Sequence, residues 1–399
     1  MIQENFIKIY EKSFKKNWEL PALTDYSKGT TFSFADVAKE IARIHILFEE
    51  CQIRRGDKIA LIGKDSARWC IVYMAAVTYG AIIVPILQDF SPNDVHHIIN
   101  HSESVFLFVS DRIWDTLEEE MIEDVRGVFS LSDFRCLHQR DGESIQKLLK
   151  GMDEKMAEKY PDGFGKDDIE YAELDNDKVV LLNYTSGTTS YSKGVMIPYR
   201  ALWSNTQFAF DVLKMNPGDK LVSMLPMAHM YGLAFEFLYE FCVGCHIYFL
   251  TRTPSPKIIF QAFSEVKPNL VVAVPLIIEK IIKKNVLPKL ETPAMKILLK
   301  VPIINDKIKA TVREQMINAF GGNFYEIIVG GAAFNQEIEQ FLKSIDFPYT
   351  VGYGMTECAP IICYEDWKYF KLGSCGKAAP RMEVKILSPD PENIVGEIV

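Results

Sequence analysis

Positive charge is in deficit: 44 Lys and Arg stand against 53 Asp and Glu, a formal charge of −9 over 399 residues. A chain with that balance has no general attraction for polyphosphate, which argues against nucleic acid as a main partner. Cysteine is sparse, eight scattered residues, and Met1–Tyr10 lacks a basic-then-apolar leader. Both features point to reduced thiols in a cytoplasm and to no disulfides. Internal repeats are lacking, and so is the G-x-S-x-G elbow that nucleophilic Ser/His/Asp chemistry on an α/β sheet would use. Long uncharged runs are few. Trp69–Gln88, twenty residues between Arg68 and Asp89, is long enough on paper to cross a bilayer. Gly80 and Pro85 interrupt it, so it reads as a buried helix Trp69–Val77 ending at Gly80 and a core strand Ile82–Leu87.

What is present is ordinary globular material. Hydrophobic residues make up 48% and charged residues 24%, enough for a sizeable core in two or three domains or one large one. The first 135 residues alternate helical and strand patterns: helix Phe34–Cys51, strand Lys58–Ile62, helix Ala67–Val77, strand Ile82–Pro85, helix Asn93–Asn100, strand Val105–Val109. That alternation predicts an α/β sheet. From His138 to Lys178 the composition turns polar and acidic, which predicts a surface excursion. Apolar strands then resume at Leu221–Leu225, Ile247–Leu250, Leu270–Val274 and Phe324–Val329, with helices at Gln207–Leu213, Pro256–Phe263 and Lys307–Ala319. Ile277, Ile278, Ile281 and Ile282 share one helix face, opposite Glu279, Lys280, Lys283 and Lys284. The basic face reads as solvated, with attraction to phosphate or a membrane surface as the minor alternative. The chain ends at Gly396–Val399 in a rising strand pattern, which reads as a cut chain.

Four segments can carry chemistry. Tyr184-Thr-Ser-Gly-Thr-Thr-Ser-Tyr-Ser-Lys-Gly194 follows the apolar run Val179–Leu182, and eight of the nine residues Tyr184–Ser192 bear a hydroxyl. Hydroxyls and free loop amides donate to phosphate oxygens, Gly187 and Gly194 allow close approach, and Lys193 adds a point charge. A Walker loop needs Gly-Lys-Ser/Thr opening a helix, whereas Lys193 precedes Gly194 and the strand-like Val195-Met196-Ile197. In Gly352-Tyr-Gly-Met-Thr-Glu357, two glycines flank a stacking ring, and Thr356 and Glu357 can reach a phosphate and its divalent metal; a tight turn before a helix is the bland alternative. Val329-Gly-Gly-Ala-Ala333 offers bare backbone for an adenine edge, or for a close helix–strand crossing. Pro226-Met-Ala-His-Met-Tyr-Gly232 holds His229 in apolar surroundings, where a core histidine is the commoner reading. Cys242-Val-Gly-Cys-His246 matches the haem-attachment pattern, but it lies in the apolar run Phe237–Leu250 and reads as packing, and no second Cys/His pair at zinc spacing follows.

Taken in order and spacing, these four motifs resemble the adenylate-forming superfamily of acyl-CoA synthetases, nonribosomal adenylation domains and luciferases. Val274–Ile281, Phe347–Pro360 and Gly373-Ser-Cys-Gly-Lys377 are most similar to long-chain fatty acid CoA ligases. The resemblance implies two packed α/β subdomains with mixed, mostly parallel sheets, and the start of a small β-subdomain near 370–399. Residues 1–399 would form the large N-terminal AMP-binding domain, without the small C-terminal lid. Thr185, Ser186, Gly187, Thr188, Thr189 and Lys193 would hold the ATP phosphates. Gly331, Ala332 and Ala333 would border adenine, Tyr353 would stack on it beside Gly354 and Met355, and Thr356 would contact the α-phosphate. Glu357, with Thr185, would hold Mg²⁺. His229 would gate an acyl channel lined by Tyr231, Gly232, Val274 and Gly330. Lys193, His229, Thr356 and Glu357 are the expected catalytic set.

The implied reaction is ATP-dependent activation of a long-chain fatty acid to an acyl-adenylate, then transfer to coenzyme A. The setting is cytoplasmic, with peripheral contact at the inner membrane face left open. The family's usual Gly at Ser190 and Pro at Ser192 are missing, and Ala378 and Arg381 replace a common Pro and Gly, which points to altered nucleotide affinity. Without the lid lysine, the chain alone is expected to turn over poorly. Met227–Phe235 carries no Asp of the kind amino-acid-activating relatives use; Glu236 keeps an amino acid as the alternative substrate, and a non-catalytic nucleotide or acyl binder is the alternative of another class. All of this requires the hairpin near residue 190 and the ring at Tyr353 to share one cleft.

Overall fold

The computed structural model describes residues 4–140, 142–185, 192–251, 255–290, 292 and 302–399. A seven-stranded sheet organises the first half, in the order Cys136–Gln139, Gly127–Ser130, Ser104–Val109, Lys58–Ile62, Ile82–Ile86, Val179–Thr185, Lys193–Pro198. Its five inner strands run parallel and both edge strands antiparallel. The parallel strands are mostly apolar, with polar residues only at or near their ends, as expected of a sheet covered on both faces. Helix Ala67–Tyr79 is buried on nearly every side, with Trp69 stacked on Tyr73, and Gly80 ends it in the left-handed region at φ 93°. The uncharged run around it is therefore core, and no helix among the described residues is long and apolar enough to cross a membrane.

A second sheet runs Lys220–Ser223, His246–Phe249, Pro21–Asp25, Thr30–Ser33. A single parallel bridge, Leu221 to Leu270, joins it to a parallel sheet of Val271–Ala273, Ile327–Val329 and Tyr349–Val351. Helix Pro275–Asn285 lies after the first of these strands and buries Ile278, Ile281 and Ile282, while Lys283 stays half exposed, the division its alternation predicts. Two small antiparallel sheets follow, Tyr353–Gly354 with Ile361–Tyr364 and Lys377–Ala378, then Ile386–Leu387 with Glu397–Ile398. The fold is thus α/β with mixed, mostly parallel sheets and a terminal β portion, as expected.

The sequence reading passed over the opening helix Phe6–Lys16 and the hairpin Pro21–Ser33. The helix buries Phe6, Ile7, Tyr10 and Phe14, and the hairpin's first strand completes the second sheet. Between 138 and 178 the chain forms two short helices, Ser144–Lys150 and Met152–Lys159, and a polar connection. All eight cysteines are free thiols, and Cys242 and Cys245 are buried.

Candidate active site

Strand Val179–Thr185 and strand Lys193–Pro198 form a hairpin whose last pair is Thr185 opposite Lys193. Ser186, Gly187, Thr188 and Thr189 lie outside the described residues. Gly194 lies close under Tyr184, where a Cβ would stand 3.1 Å from the ring and push it aside by a few tenths of an ångström. The Tyr184 hydroxyl is in turn 2.7 Å from His101 Nδ1. Lys193 is exposed and has no ion pair among the described residues. Its strand packs against the turn Thr356–Cys358, so the hairpin and the second motif meet.

That second motif is held from below. Asn205, on helix Tyr199–Val212, donates to the Cys358 carbonyl (3.0 Å) and accepts from the Ile361 amide (2.9 Å). Tyr353 and Gly354 pair with Cys363 and Ile361, and the Met355 amide donates to the Pro360 carbonyl at 2.9 Å. A Cβ on Gly354 would come within 2.3 Å of that same carbonyl oxygen, so only glycine permits the approach.

The third and fourth motifs close the cleft. Gly330 ends strand Ile327–Val329, and its amide donates to the Ala273 carbonyl (3.1 Å). Val274 follows that carbonyl, and the Tyr231 hydroxyl donates to the Ile328 carbonyl (3.1 Å), so the Tyr231 ring lies flat against Gly330. The loop before Tyr231 is fixed by three polar side chains, the buried Glu236 and Asn183 and the partly exposed Asp65. Glu236 accepts from Ser223 Oγ (3.0 Å), the Met224 amide (3.0 Å) and the Leu225 amide (2.9 Å). Asp65 accepts from the Met227 amide (3.0 Å), and Asn183 donates to the Ala228 carbonyl (2.8 Å). Burial pushes the Glu236 carboxyl well above its ordinary value, against those donors, and pushes Asp65 up to about 7. Helix Met230–Val243 then starts, with a π-helical turn at Ala234–Leu238.

The second, third and fourth motifs enclose one cavity of about 300 Å³, and Thr185 and Lys193 of the hairpin lie outside its wall. Its wall includes His229, Tyr231, Gly232, Val274 and Gly330, all expected at an acyl channel, together with Gly331, Tyr353, Gly354, Met355 and Thr356, expected at the nucleotide. The acyl and nucleotide sets thus share one space, and the rest of its wall is largely apolar, with Phe208, Leu225, Phe235, Ile361 and Tyr364. Ala332, Ala333 and Glu357 are exposed and outside the wall. His229 sits at the rim, where desolvation lowers its pKa and favours the neutral ring. Bare backbone at Gly330, Gly331 and Gly352 beside Tyr353 fits a flat base. For Mg²⁺, no cluster of three or more His, Cys, Asp or Glu occurs among the described residues. The hydroxyl of Thr185, paired with Lys193 on the strand that packs against the Thr356–Cys358 turn, and the carboxylate of Glu357 in that turn are the hard oxygen donors suited to an ion that completes its shell with phosphate and water.

Residues 10–399 match a family model described as AMP-binding enzyme. The chain belongs to that family. As an AMP-binding enzyme it is similar to Long-chain-fatty-acid CoA ligase 1 of Saccharomyces cerevisiae, 22% identical over 94% of this chain and 58% of the yeast protein. It is also similar to 4-coumarate CoA ligase 1 of Petroselinum crispum, 24% identical over 99% of this chain and 65% of that protein. ATP-bound MatB from Rhodopseudomonas palustris shares its fold, with a TM-score of 0.73 at 17% identity over 99% of this chain and 68% of that one. The chain spans a little under three fifths of the yeast ligase's length.

Asp65, Asn183 and Asn205 were missed in the sequence. Asp65 and Asn183 had a signal: both sit at or beyond the carboxyl end of a parallel strand, where α/β sheets place ligands. Asn205 had none, being one polar residue within an amphipathic helix.

Proposed function

We propose that the protein activates a carboxylic acid with ATP, forming an acyl-adenylate and pyrophosphate, and transfers the acyl group to coenzyme A, with a long-chain fatty acid as the acid. One observation carries this reading: the cavity whose wall joins His229, Tyr231 and Gly330 to Tyr353, Gly354 and Thr356. An acid lying on the apolar side of that space has its carboxylate directed toward the α-phosphate of a nucleotide stacked at Tyr353. Attack forms the new oxygen–phosphorus bond and breaks the bond to the β-phosphate. Lys193 and the hairpin amides neutralise the phosphates, and Thr356 donates to the α-phosphate, so two anions can meet in line. Mg²⁺, when bound through Glu357 and Thr185, would supply further neutralisation of the departing pyrophosphate.

The apolar wall favours an acyl chain over a polar acid. Glu236, the carboxylate nearest the acyl side, is fully buried and spends its oxygens on Ser223, Met224 and Leu225. It is outside the cavity wall and has no oxygen to offer an α-ammonium, which weighs against an amino acid. The likeness to both a fatty-acid and a 4-coumarate ligase makes the choice of acid an experimental one. ATP–pyrophosphate exchange with palmitate, shorter fatty acids, 4-coumarate and an amino-acid panel tests it. Exchange driven by palmitate is expected; exchange driven by amino acids alone would overturn the assignment.

A further inference from the structure

A larger cavity, about 600 Å³, lies elsewhere in the molecule and shares no wall residue with the cleft described above. It opens between helix Phe34–Glu50, helix Ser144–Lys150 and the turn joining strands Gly127–Ser130 and Cys136–Gln139. Its volume is typical of small-molecule sites. Phe32, Leu47, Phe108, Phe134 and Leu149 provide apolar wall, and the charged groups that face it are Glu40, Arg43, Arg68, Asp133, Arg135 and Lys150.

The charges are not equally engaged. Arg43 pairs with Asp153 (2.6 Å), and Arg135 with Asp111 and Asp133 (both 3.0 Å). Arg68 has no hydrogen bond or ion pair among the described residues. Its guanidinium stands between two rings, 5.8 Å from the centres of Phe32 and of Phe134. Cation–π contacts of that kind hold the group near the rings, and its N–H donors remain unspent among the described residues. Glu40 also lacks a hydrogen-bond partner among the described residues, and it feels the charges of Arg43 and Arg68 across the cavity. A guanidinium with unspent donors matches a carboxylate in two-point contact. Glu40 and Asp133 on the same wall disfavour a dianion such as a phosphate monoester, whereas a single negative charge can pair with Arg68, which has no carboxylate ion pair among the described residues.

We propose that this cavity is a second small-molecule site, taking a monocarboxylate with a compact apolar body, its carboxylate on Arg68 and its body against Phe32, Phe134 and Leu149. The site stands independently of the proposed reaction. Calorimetric titration of the full chain with 3-phenylpropanoate, and with 3-phenylpropanol as the uncharged control, tests it. The acid is expected to bind at least tenfold more tightly than the alcohol. Arg68→Met should weaken the acid tenfold or more, and Arg68→Lys, which keeps the charge but loses the fork, should also weaken it. Gly330→Trp, which fills the other cleft, should leave binding unchanged. Equal binding of acid and alcohol, no binding of the acid, or retained affinity in Arg68→Lys overturns the proposal. So does loss of binding in Gly330→Trp, which would locate the acid in the first cleft. Circular dichroism of each variant verifies folding, and Phe134→Leu, expected to weaken the acid, replaces any variant that does not fold.

Discussion

Glu240 offers a prediction whose size follows from the structure. The residue is fully buried on helix Met230–Val243, and neither carboxyl oxygen has a hydrogen-bond partner among the described residues. Burial pushes its carboxyl up to about 8. An unfolded glutamate titrates near 4.3, so the native state holds this proton across several pH units where the unfolded chain has lost it. Because the folded value is the higher one, the group's contribution to stability is complete below about 4.3 and disappears as pH climbs toward 8. At about 1.4 kcal/mol per pK unit, the wild-type loses roughly 2.5 kcal/mol from this one group between pH 5 and pH 7. Glu240→Gln keeps the shape and cannot ionise. Urea unfolding of both proteins at pH 5, 6, 7 and 8 should therefore show the variant gaining on the wild type by that amount from pH 5 to pH 7, then levelling above 8. Any constant offset from the amide cancels in the comparison, as do other titrating carboxyls such as Asp65 and Glu326. A stability difference that stays flat with pH would refute the reasoning, since it would mean the carboxyl reaches water or a partner in solution.

Lys193→Ala combined with Glu357→Ala is expected to leave the fold intact, both side chains being exposed, and to cut ATP–pyrophosphate exchange about a hundredfold; unchanged exchange would remove both from the mechanism. Gly354→Ala drives a Cβ to 2.3 Å from the Pro360 carbonyl oxygen and should weaken nucleotide binding at least tenfold, read by titration with ATP. Glu236→Leu strands the Ser223, Met224 and Leu225 donors, which at about 1–3 kcal/mol for each unsatisfied group should cost roughly 3–9 kcal/mol in an unfolding titration. Asn205→Ala should raise the KM for ATP with a smaller change in unfolding midpoint, because it loosens Cys358 and Ile361 beneath the Tyr353 motif without opening a large void.

The fold was legible where hydrophobic periodicity was strong. Strand Lys58–Ile62 and the start of helix Phe34–Glu50 read directly, because a buried parallel strand and a capped amphipathic helix each impose a local pattern. Helix Tyr199–Val212 began eight residues earlier than its apolar signal at Gln207, and helix Phe6–Lys16 was passed over, since its four buried apolar residues are interspersed with lysines. At the site, motifs rich in glycine and hydroxyls were readable because close backbone approach leaves few residue choices. Asp65 and Asn183 were legible only by their place at strand ends and Asn205 not at all, because each acts by bonding main chain far away in sequence, 162 residues for Asp65 and 45 for Asn183. Glu236 was visible as a carboxylate, but its work as a loop anchor appears only once the strand end Ser223–Leu225 is folded over it.

The π-helical turn at Ala234–Leu238 has a mechanical consequence. One surplus residue in a helix rotates everything downstream by about 100° relative to an uninterrupted spiral. Here that phase change lets Met230, Tyr231 and Gly232 address the ligand space while Glu236 turns inward to Leu225 and Tyr239 onward packs into the core. The two halves of this rod answer to different neighbours, Met230, Tyr231 and Gly232 to the cavity and Phe237 and Phe241 to the core.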